Sequence, residues 1–382
     1  MRNGEAVTSR EYVPIIRYFG DADEVAHDPL SRRLLRNFTS DGKITWESLL
    51  ATSKRSAVVL MAPSGTGKTT ELKRQAEKIR AAGGHAVYTE AKNAAVEGFV
   101  ESLLGDDVSA YRTWLSTSEP LVVFIDAIDE LHLVQRRVRD LIRKLEQVLD
   151  LTTREIQFVV GARNGSWSRA HTGALEKFLR RSGEAELSIR IVKFEPLDPL
   201  ALRTMVAARG ISNVDRFMEC FERDELDGLL DLRPCDVELF ADYWKRHGRF
   251  GQWSDILSDF VQVAIVEQDE ERQPTLSADD SSAGLVRLGA ASVLGKKMHV
   301  ALPSSLLESK DALSARRLFA DWPTLRLDEL LEVSLLVHKG TDAVQLPQGA
   351  LTHFLCGRWF LERISRGASL ALVRDAFFVR VF

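Results

Sequence analysis

Two short stretches of the sequence contain the residue types that bind and cleave a polyphosphate. The first, residues 62–69, reads APSGTGKT and directly follows an apolar run. It fits the phosphate-binding pattern G-x-x-x-x-G-K-[ST] at every defined position except the first, where Ala62 replaces glycine. Gly65 and Gly67 allow positive φ, so the loop can turn its N–H groups toward an anion. An ordinary glycine-rich turn is the alternative, and the eight-residue match weighs against it.

The residues after the loop add charge and a metal ligand to this expectation. A helix beginning near Lys68 would contribute free N–H groups and the positive end of its dipole. Lys68 would reach the β- and γ-phosphates, and the Thr69 hydroxyl would bind Mg²⁺. The candidate nucleotide-binding residues are therefore Ala62, Pro63, Ser64, Gly65, Thr66, Gly67, Lys68, Thr69 and Thr70.

The second stretch, LVVFIDAIDEL at residues 121–131, supplies carboxylates. Its apolar half predicts a buried strand, so Asp126 would emerge at the carboxyl edge of a sheet, where ligands bind in open α/β folds. Asp126 is the candidate Mg²⁺ ligand together with Thr69. Asp129 or Glu130 would orient or deprotonate the attacking water. A strand that ends in a solvated acidic turn is the alternative for this stretch taken alone.

Arg163 stands at the end of a third apolar run, FVVGAR. If the strands are parallel, its guanidinium lies at the same edge as Asp126 and could contact a γ-phosphate. A surface arginine without a role is nearly as well supported, because the signal is positional.

In their order and spacing, APSGTGKTT, LVVFIDAIDEL and FVVGAR resemble the NTPase module of the NACHT family, which belongs to the STAND class of AAA-related P-loop NTPases. The form D-[small]-x-D-E, from Asp126 to Glu130, carries the resemblance. LLDLRPCDVELFADYW resembles the family's helical-domain segment, in which a proline, here Pro234, approaches the nucleotide base. The resemblance implies ATP and Mg²⁺ as cofactors, a sheet of order 5-1-4-3-2, and helical and winged-helix-like domains after it.

Around these motifs the sequence alternates strand and helix, which is typical of an α/β three-layer parallel sheet. Apolar runs predict strands at residues 56–62, 85–90, 121–126, 155–162 and 188–194. Helices are expected at residues 68–82 and 132–150, and the polar segment 267–284 is expected to be an exposed linker. Trp46 could pack near an adenine, but a core position is favoured.

The predicted domains follow from this alternation and its loss after residue 196. We predict a lead-in at 1–54, a NACHT-like P-loop NTPase domain at 55–196, a small helical domain at 197–248, a winged-helix-like domain with a hairpin near 336–346 at 249–345, and at 346–382 the start of a helical region that is truncated or needs a partner.

Composition excludes several classes of protein. The 382 residues include three widely spaced cysteines, which favours a reducing compartment without disulfides or thiolate metal sites. The sequence contains no run of 18 apolar residues, so no membrane span is predicted. The charged N-terminal residues are not typical of a secretory signal. The net charge of −4 predicts no nucleic-acid partner. A cytoplasmic protein is expected.

The leading hypothesis is a slowly hydrolysing, ATP-controlled signalling switch of NACHT type that self-associates or docks an effector or sensor protein, in a defence role by family analogy. The alternative is a scaffold that holds ATP or ADP with little turnover. A nucleic-acid motor is the third and least supported class.

Overall fold

The structure is a computed structural model that describes residues 13–21, 44–51, 56–63, 65–151, 153–163, 166–180, 188–224, 226, 233–271, 276–303, 312–333, 335–339, 343–346, 349–369 and 371. The chain divides into two compact units. The first is Met1–Gly210 with Asp231–Cys235, and the second is Ile211–Leu230 with Asp236–Phe382.

The first unit contains a six-stranded sheet. Its strands are β1 (Phe19–Asp21), β2 (Ser56–Met61), β3 (His85–Glu90), β4 (Leu121–Asp126), β5 (Ile156–Ala162) and β6 (Ser188–Phe194). The order across the sheet is β1-β6-β2-β5-β4-β3. All neighbours are parallel except β1 and β6.

The predicted α/β P-loop fold and its strand order are confirmed, because β6-β2-β5-β4-β3 is the expected 5-1-4-3-2 arrangement. Sequence reasoning missed β1. This three-residue edge strand is too short to display a period of two.

Helices surround this sheet and bury both of its faces. They are α1 (Trp46–Leu50), α2 (Lys68–Ala81), α3 (Ala91–Val96), α4 (Asp106–Leu115), α5 (Val138–Glu146) and α6 (Arg169–Leu179), and a further helix of this unit, α7 (Pro199–Ala208), follows β6. One face packs a cluster around Trp114, Phe158 and Phe178, and the other packs Trp46, Leu72 and Phe124. Trp46 therefore has the core position that the sequence favoured.

The helix predicted at residues 132–150 is shorter in the structure. A 3₁₀ helix spans Ile128–Val134, and α5 begins only at Val138. Gln135 lies between them with φ of 54°, a left-handed conformation that interrupts a helix. The apolar spacing continued through this break, so periodicity alone did not reveal it.

The second unit is mainly helical with a small sheet. Its helices are α8 (Val214–Arg223), α9 (Pro234–His247, mostly in this unit), α10 (Trp253–Glu271), α11 (Ala278–Gly295), α12 (Ala315–Leu318), α13 (Thr324–Leu331) and α14 (Gly349–Ser365). The strands β7 (His299–Ala301), β8 (Ala312–Ser314), β9 (Val337–Lys339) and β10 (Ala343–Gln345) pair in the order β8-β7-β10-β9.

Two expectations for this unit meet different outcomes. β9 and β10 pair antiparallel where a hairpin was expected. The expected linker at 267–284 is wrong over its described residues, since α10 reaches Glu271 and α11 begins at Ala278. The Ser277 hydroxyl accepts from the N–H of Asp280 at 3.1 Å, so the polar cluster caps a helix instead of forming a loop.

None of the described helices is both long and apolar enough to cross a membrane.

Candidate functional site

The phosphate-binding loop has the backbone that its glycines predicted. Gly65 and Gly67 have φ of 79° and 82°, the left-handed region that glycine occupies without strain. Gly67 is the residue before α2, and no side chain caps that helix end. Since the first N–H groups of a helix have no acceptor within the helix, the start of α2 can donate to an anion.

Ala62, at the position of the missing glycine, is buried and donates its N–H to the Ala162 carbonyl at 3.1 Å. Its small side chain fits where the strand enters the loop. The Thr66 hydroxyl donates to the Pro63 carbonyl at 2.9 Å and braces the turn. Ser64 lies outside the described residues, and Thr70 is exposed in the first turn of α2.

The Lys68 ammonium folds over the loop. Its Nζ donates to the carbonyls of Ala62 at 2.7 Å and Pro63 at 3.1 Å. These carbonyls are neutral acceptors, whereas a phosphate oxygen carries charge and would form a stronger hydrogen bond. The lysine thus lies beside the loop, and an anion could replace these two carbonyls as its acceptors.

Asp126 ends β4, as predicted, and both of its carboxylate oxygens accept hydrogen bonds. Oδ2 accepts from the Thr69 hydroxyl at 2.5 Å and from the Tyr88 hydroxyl at 3.2 Å. Oδ1 accepts from the N–H of Ala127 at 2.8 Å. Burial and the nearby Asp126 charge raise the pKa of Tyr88, so this phenol remains a donor.

Gly161 on β5 leaves the space that Asp126 occupies. A Cβ atom at position 161 would lie 2.5 Å from Asp126 Oδ1 and 3.0 Å from Leu72 Cδ1. The carboxylate is held by three hydrogen bonds, so any larger side chain at 161 would have to displace it.

Asp129 and Arg163 form an ion pair, which the sequence analysis did not predict. Arg163 Nε contacts Asp129 Oδ2 at 2.7 Å, and the two side chains are only 15% and 11% exposed. The ion pair joins the residues that follow β4 and β5.

Glu130 is buried and paired with a cation that sequence reasoning did not single out. Lys92, in the first turn of α3, lies 3.1 Å from Glu130 Oε2 and 3.2 Å from Glu90 Oε2. Burial alone would lower the pKa of Lys92, but the two carboxylates outweigh it and raise the pKa. Glu130 therefore faces a charged lysine.

Pro234 lies beside the phosphate-binding loop. Its Cγ is 3.8 Å from where a Cβ of Gly67 would lie. The next residue packs more closely, because the Cys235 N–H donates to the Gly65 carbonyl at 3.4 Å and its Sγ would be 2.3 Å from a Cβ at 65. Gly65 is thus required by contact as well as by conformation.

Sequence reasoning missed Tyr88, Lys92 and Gly161. Tyr88 is one apolar-type residue in a buried strand, Lys92 follows a strand as exposed lysines do, and Gly161 interrupts a β-run without a turn. A glycine inside a strand is a signal of close approach, and it could have been used.

The donor set suits a hard cation. Thr69 and Asp126 present oxygen atoms, which Mg²⁺ prefers, and Mg²⁺ commonly takes one or two carboxylates with phosphate oxygens and water. Within the described residues, no three His, Cys, Asp or Glu side chains are grouped as metal ligands. Phosphate oxygens and water could complete the shell of a cation bound by Thr69 and Asp126.

Residues 58–186 match the family described as "ATPase family associated with various cellular activities (AAA)". No curated protein matched the chain. Similar solved structures include the Aeropyrum pernix ORC2 protein in ADPNP–ADP complexes, at 12% identity over 81% of this chain and 89% of that one, with a TM-score of 0.32. Another is the Aeropyrum pernix ORC1 protein in complex with DNA, at 16% identity over 91% and 99%, with a TM-score of 0.33.

One expectation needs correction. The sequence led us to exclude nucleic acid as a partner, and that exclusion is wrong, because a structure similar to this chain is of a protein in complex with DNA. The net charge is an average over the chain and does not describe local surfaces. Around the start of α5 the exposed side chains include several arginines: Arg136, Arg137, Arg139 and Arg143.

The phosphate-binding loop, Asp126 and Arg163 all lie within the matched residues. Residues 58–186 have the α/β P-loop NTPase fold and are similar to the AAA ATPase family over this range.

Proposed function

We propose that this protein binds Mg-ATP at the edge of its parallel sheet and hydrolyses it slowly. The observation that carries the proposal is the contact between Thr69 and Asp126, whose side chains meet at 2.5 Å although they are 57 residues apart. A phosphate-binding loop and a strand-end carboxylate in contact are the two halves of a Mg-nucleotide site.

The roles follow from the groups that each residue presents. Gly65, Gly67 and the start of α2 bind the phosphates through N–H groups, and Lys68 leaves the loop carbonyls to reach them. Thr69 and Asp126 hold Mg²⁺, which neutralises phosphate charge when it is bound. Pro234, beside Gly67, contacts the nucleotide on this side of the loop.

Hydrolysis also needs a group that orients or deprotonates water, and Glu130 has this role in the proposal. A carboxylate in an ion pair with Lys92 must leave that pair before it can act on water. Asp129 is similarly occupied by Arg163. Slow turnover is therefore expected, because these ion pairs must rearrange before the carboxylates act on water.

The finer proposal is a signalling switch of the NACHT type. Lys68 and Arg163 would contact the γ-phosphate in the ATP form and lose that contact in the ADP form. Only such a difference in contacts can shift an equilibrium between two conformations. Self-association of the ATP form and a defence role rest on resemblance alone. The alternative is a scaffold that holds nucleotide without cycling.

The test is ATP binding by the purified protein, measured by calorimetry for wild type, Lys68→Ala and Lys78→Ala. Lys78 is an exposed lysine of the same helix, which makes it the matched control. We expect about one ATP per chain for wild type and Lys78→Ala, and at least about tenfold weaker binding for Lys68→Ala, since a charge-assisted contact is lost. Wild type that binds no ATP would overturn the proposal.

Glu130→Gln separates the switch from the scaffold. A switch should keep ATP bound and unhydrolysed in this variant and should accumulate in its associated form on gel filtration. A scaffold should retain wild-type nucleotide content and elution. Loss of hydrolysis with unchanged elution would support ATPase activity and reject the switch.

A further inference from the structure

Tyr88 has a polar contact in a strand whose other buried residues include Ala86, Val87 and Thr89. It lies on β3 opposite Phe124 of β4, two residues before Asp126, and its side chain is buried. The hydroxyl donates to Asp126 Oδ2 at 3.2 Å. Phenylalanine would fill nearly the same volume, so the hydroxyl is the feature that needs an explanation.

The three donors to Asp126 are not equivalent. Thr69 is itself a proposed Mg²⁺ ligand, and its oxygen has lone pairs for a metal beside the proton it donates. The Ala127 N–H belongs to the adjoining backbone and contacts only Oδ1. Tyr88 is the donor that fixes Oδ2 from a neighbouring strand of the sheet.

Two features keep this phenol in place. Tyr88 is on a central stretch of β3 that is hydrogen-bonded to β4, so its backbone cannot shift independently of Asp126. On the other side, the Lys73 ammonium lies 5.0 Å from the ring centroid, within the range of a cation–π contact. The hydroxyl is therefore presented to the carboxylate by a rigid element.

We propose that Tyr88 is a positioning residue for the magnesium carboxylate: its hydroxyl holds Asp126 in the orientation that binds Mg²⁺. This inference rests on the proposed function. Partners of metal ligands commonly change metal affinity by about 10- to 100-fold when they are removed. Tyr88 should act on the metal and leave the phosphate-binding loop unaffected.

The experiment compares Tyr88→Phe with Tyr111→Phe by ATP titration in EDTA and over a series of Mg²⁺ concentrations. Tyr111 is a buried tyrosine of the same domain whose hydroxyl reaches only the Val148 carbonyl, at 3.5 Å. In Tyr88→Phe we expect ATP affinity in EDTA within about twofold of wild type and a Mg²⁺ requirement raised about tenfold. Tyr111→Phe should match wild type in both.

Two outcomes would overturn the inference. A Mg²⁺ requirement unchanged in Tyr88→Phe would mean that the phenol is only a core residue. Equal weakening with and without Mg²⁺ would mean that it supports the nucleotide site as a whole. In an Asp126→Asn background, Tyr88→Phe should add no further change in Mg²⁺ requirement, and an additive effect would also contradict the proposal.

The two proposals fail differently. If wild type binds no ATP, the proposed function fails before Tyr88 is tested. If wild type binds ATP more tightly with Mg²⁺ and Tyr88→Phe does the same at the same Mg²⁺ concentration, only the inference about Tyr88 is lost.

Discussion

The carboxylate that ends β4, Asp126, differs from the two carboxylates of the following 3₁₀ helix, Asp129 and Glu130, in the charge of its partners. Asp126 is oriented by neutral donors, two hydroxyls and a backbone N–H. Asp129 and Glu130 are each paired with a cation, Arg163 and Lys92. Among the described residues, no cation lies within ion-pair distance of Asp126. The two groups are therefore prepared for different chemistry.

This difference suits Asp126 to metal binding and Asp129 and Glu130 to the hydrolysis step. A carboxylate held by neutral donors has no ion pair to break before it binds a metal, whereas an ion-paired carboxylate already has a counter-charge from the protein. We therefore expect changes around Asp126 to alter Mg²⁺ binding and changes around Asp129 and Glu130 to alter stability and hydrolysis. The predictions below test this division.

The largest effect is expected for Gly161→Ala. The added methyl would lie 2.5 Å from Asp126 Oδ1, so the carboxylate must move away from its three donors. We expect loss of most of the Mg²⁺-dependent gain in ATP affinity, and a decrease in unfolding free energy of up to about 3 kcal/mol from overpacking. Isothermal titration and urea denaturation would measure the two effects.

Gly173→Ala is the matched control, because nothing lies within 4 Å of a Cβ at this exposed helical position. It should raise the unfolding free energy by about 0.5–1 kcal/mol and leave Mg²⁺ binding unchanged. If Gly161→Ala also retained the wild-type Mg²⁺ requirement, the close approach of β5 to Asp126 would have no functional meaning.

A smaller effect is expected for Lys92→Met, which leaves Glu130 buried beside Glu90 without their shared cation. We expect the free energy of unfolding to fall by about 2 kcal/mol, since a buried acceptor loses its charged partner. Lys177→Met, at an exposed position, should change it by less than about 0.5 kcal/mol. Urea denaturation measures both.

The double variant Lys92→Met/Glu130→Gln sharpens this test. Removing both charges should lower the free energy of unfolding by less than the sum of the two single changes, because neither charge is then left buried alone. Additive costs would show that the two side chains are not energetically coupled.

The smallest effect concerns Asp259 on α10, an ion-paired carboxylate of the second unit. Burial would raise the pKa of Asp259, but hydrogen bonds from His247 and Arg246 lower it below its ordinary value. A lowered pKa adds stability above the unfolded value of about 3.9 and loses it as the pH falls through the folded value.

The free energy of unfolding of wild type should therefore exceed that of Asp259→Asn by about 1 kcal/mol at pH 7, and the difference should shrink as the pH falls below the ordinary pKa of an aspartate. Glu219→Gln, at an exposed position of α8, is the control and should change little. Chemical denaturation at each pH measures the difference. A difference that persisted unchanged at the lowest pH would reject the ion pair as its source.

Sequence could predict the parts of the site that depend on local pattern and on parallel strands. The apolar runs located β2 to β6, and the shared carboxyl edge of parallel strands predicted that Thr69 and Asp126 would be close. It could not predict Tyr88, because a tyrosine in a buried strand has the same pattern whether its hydroxyl has a function or only packs. The role of Lys92 could not be predicted either, since its ion pair with Glu130 depends on how α3 packs against the 3₁₀ helix.

The account is tested most directly by the Mg²⁺-dependent gain in ATP affinity, measured by calorimetry for wild type, Asp126→Asn and Glu130→Gln. The account predicts that the gain disappears in Asp126→Asn and is retained in Glu130→Gln, which should lose hydrolysis instead. The reverse result, with the gain lost in Glu130→Gln and kept in Asp126→Asn, would contradict it.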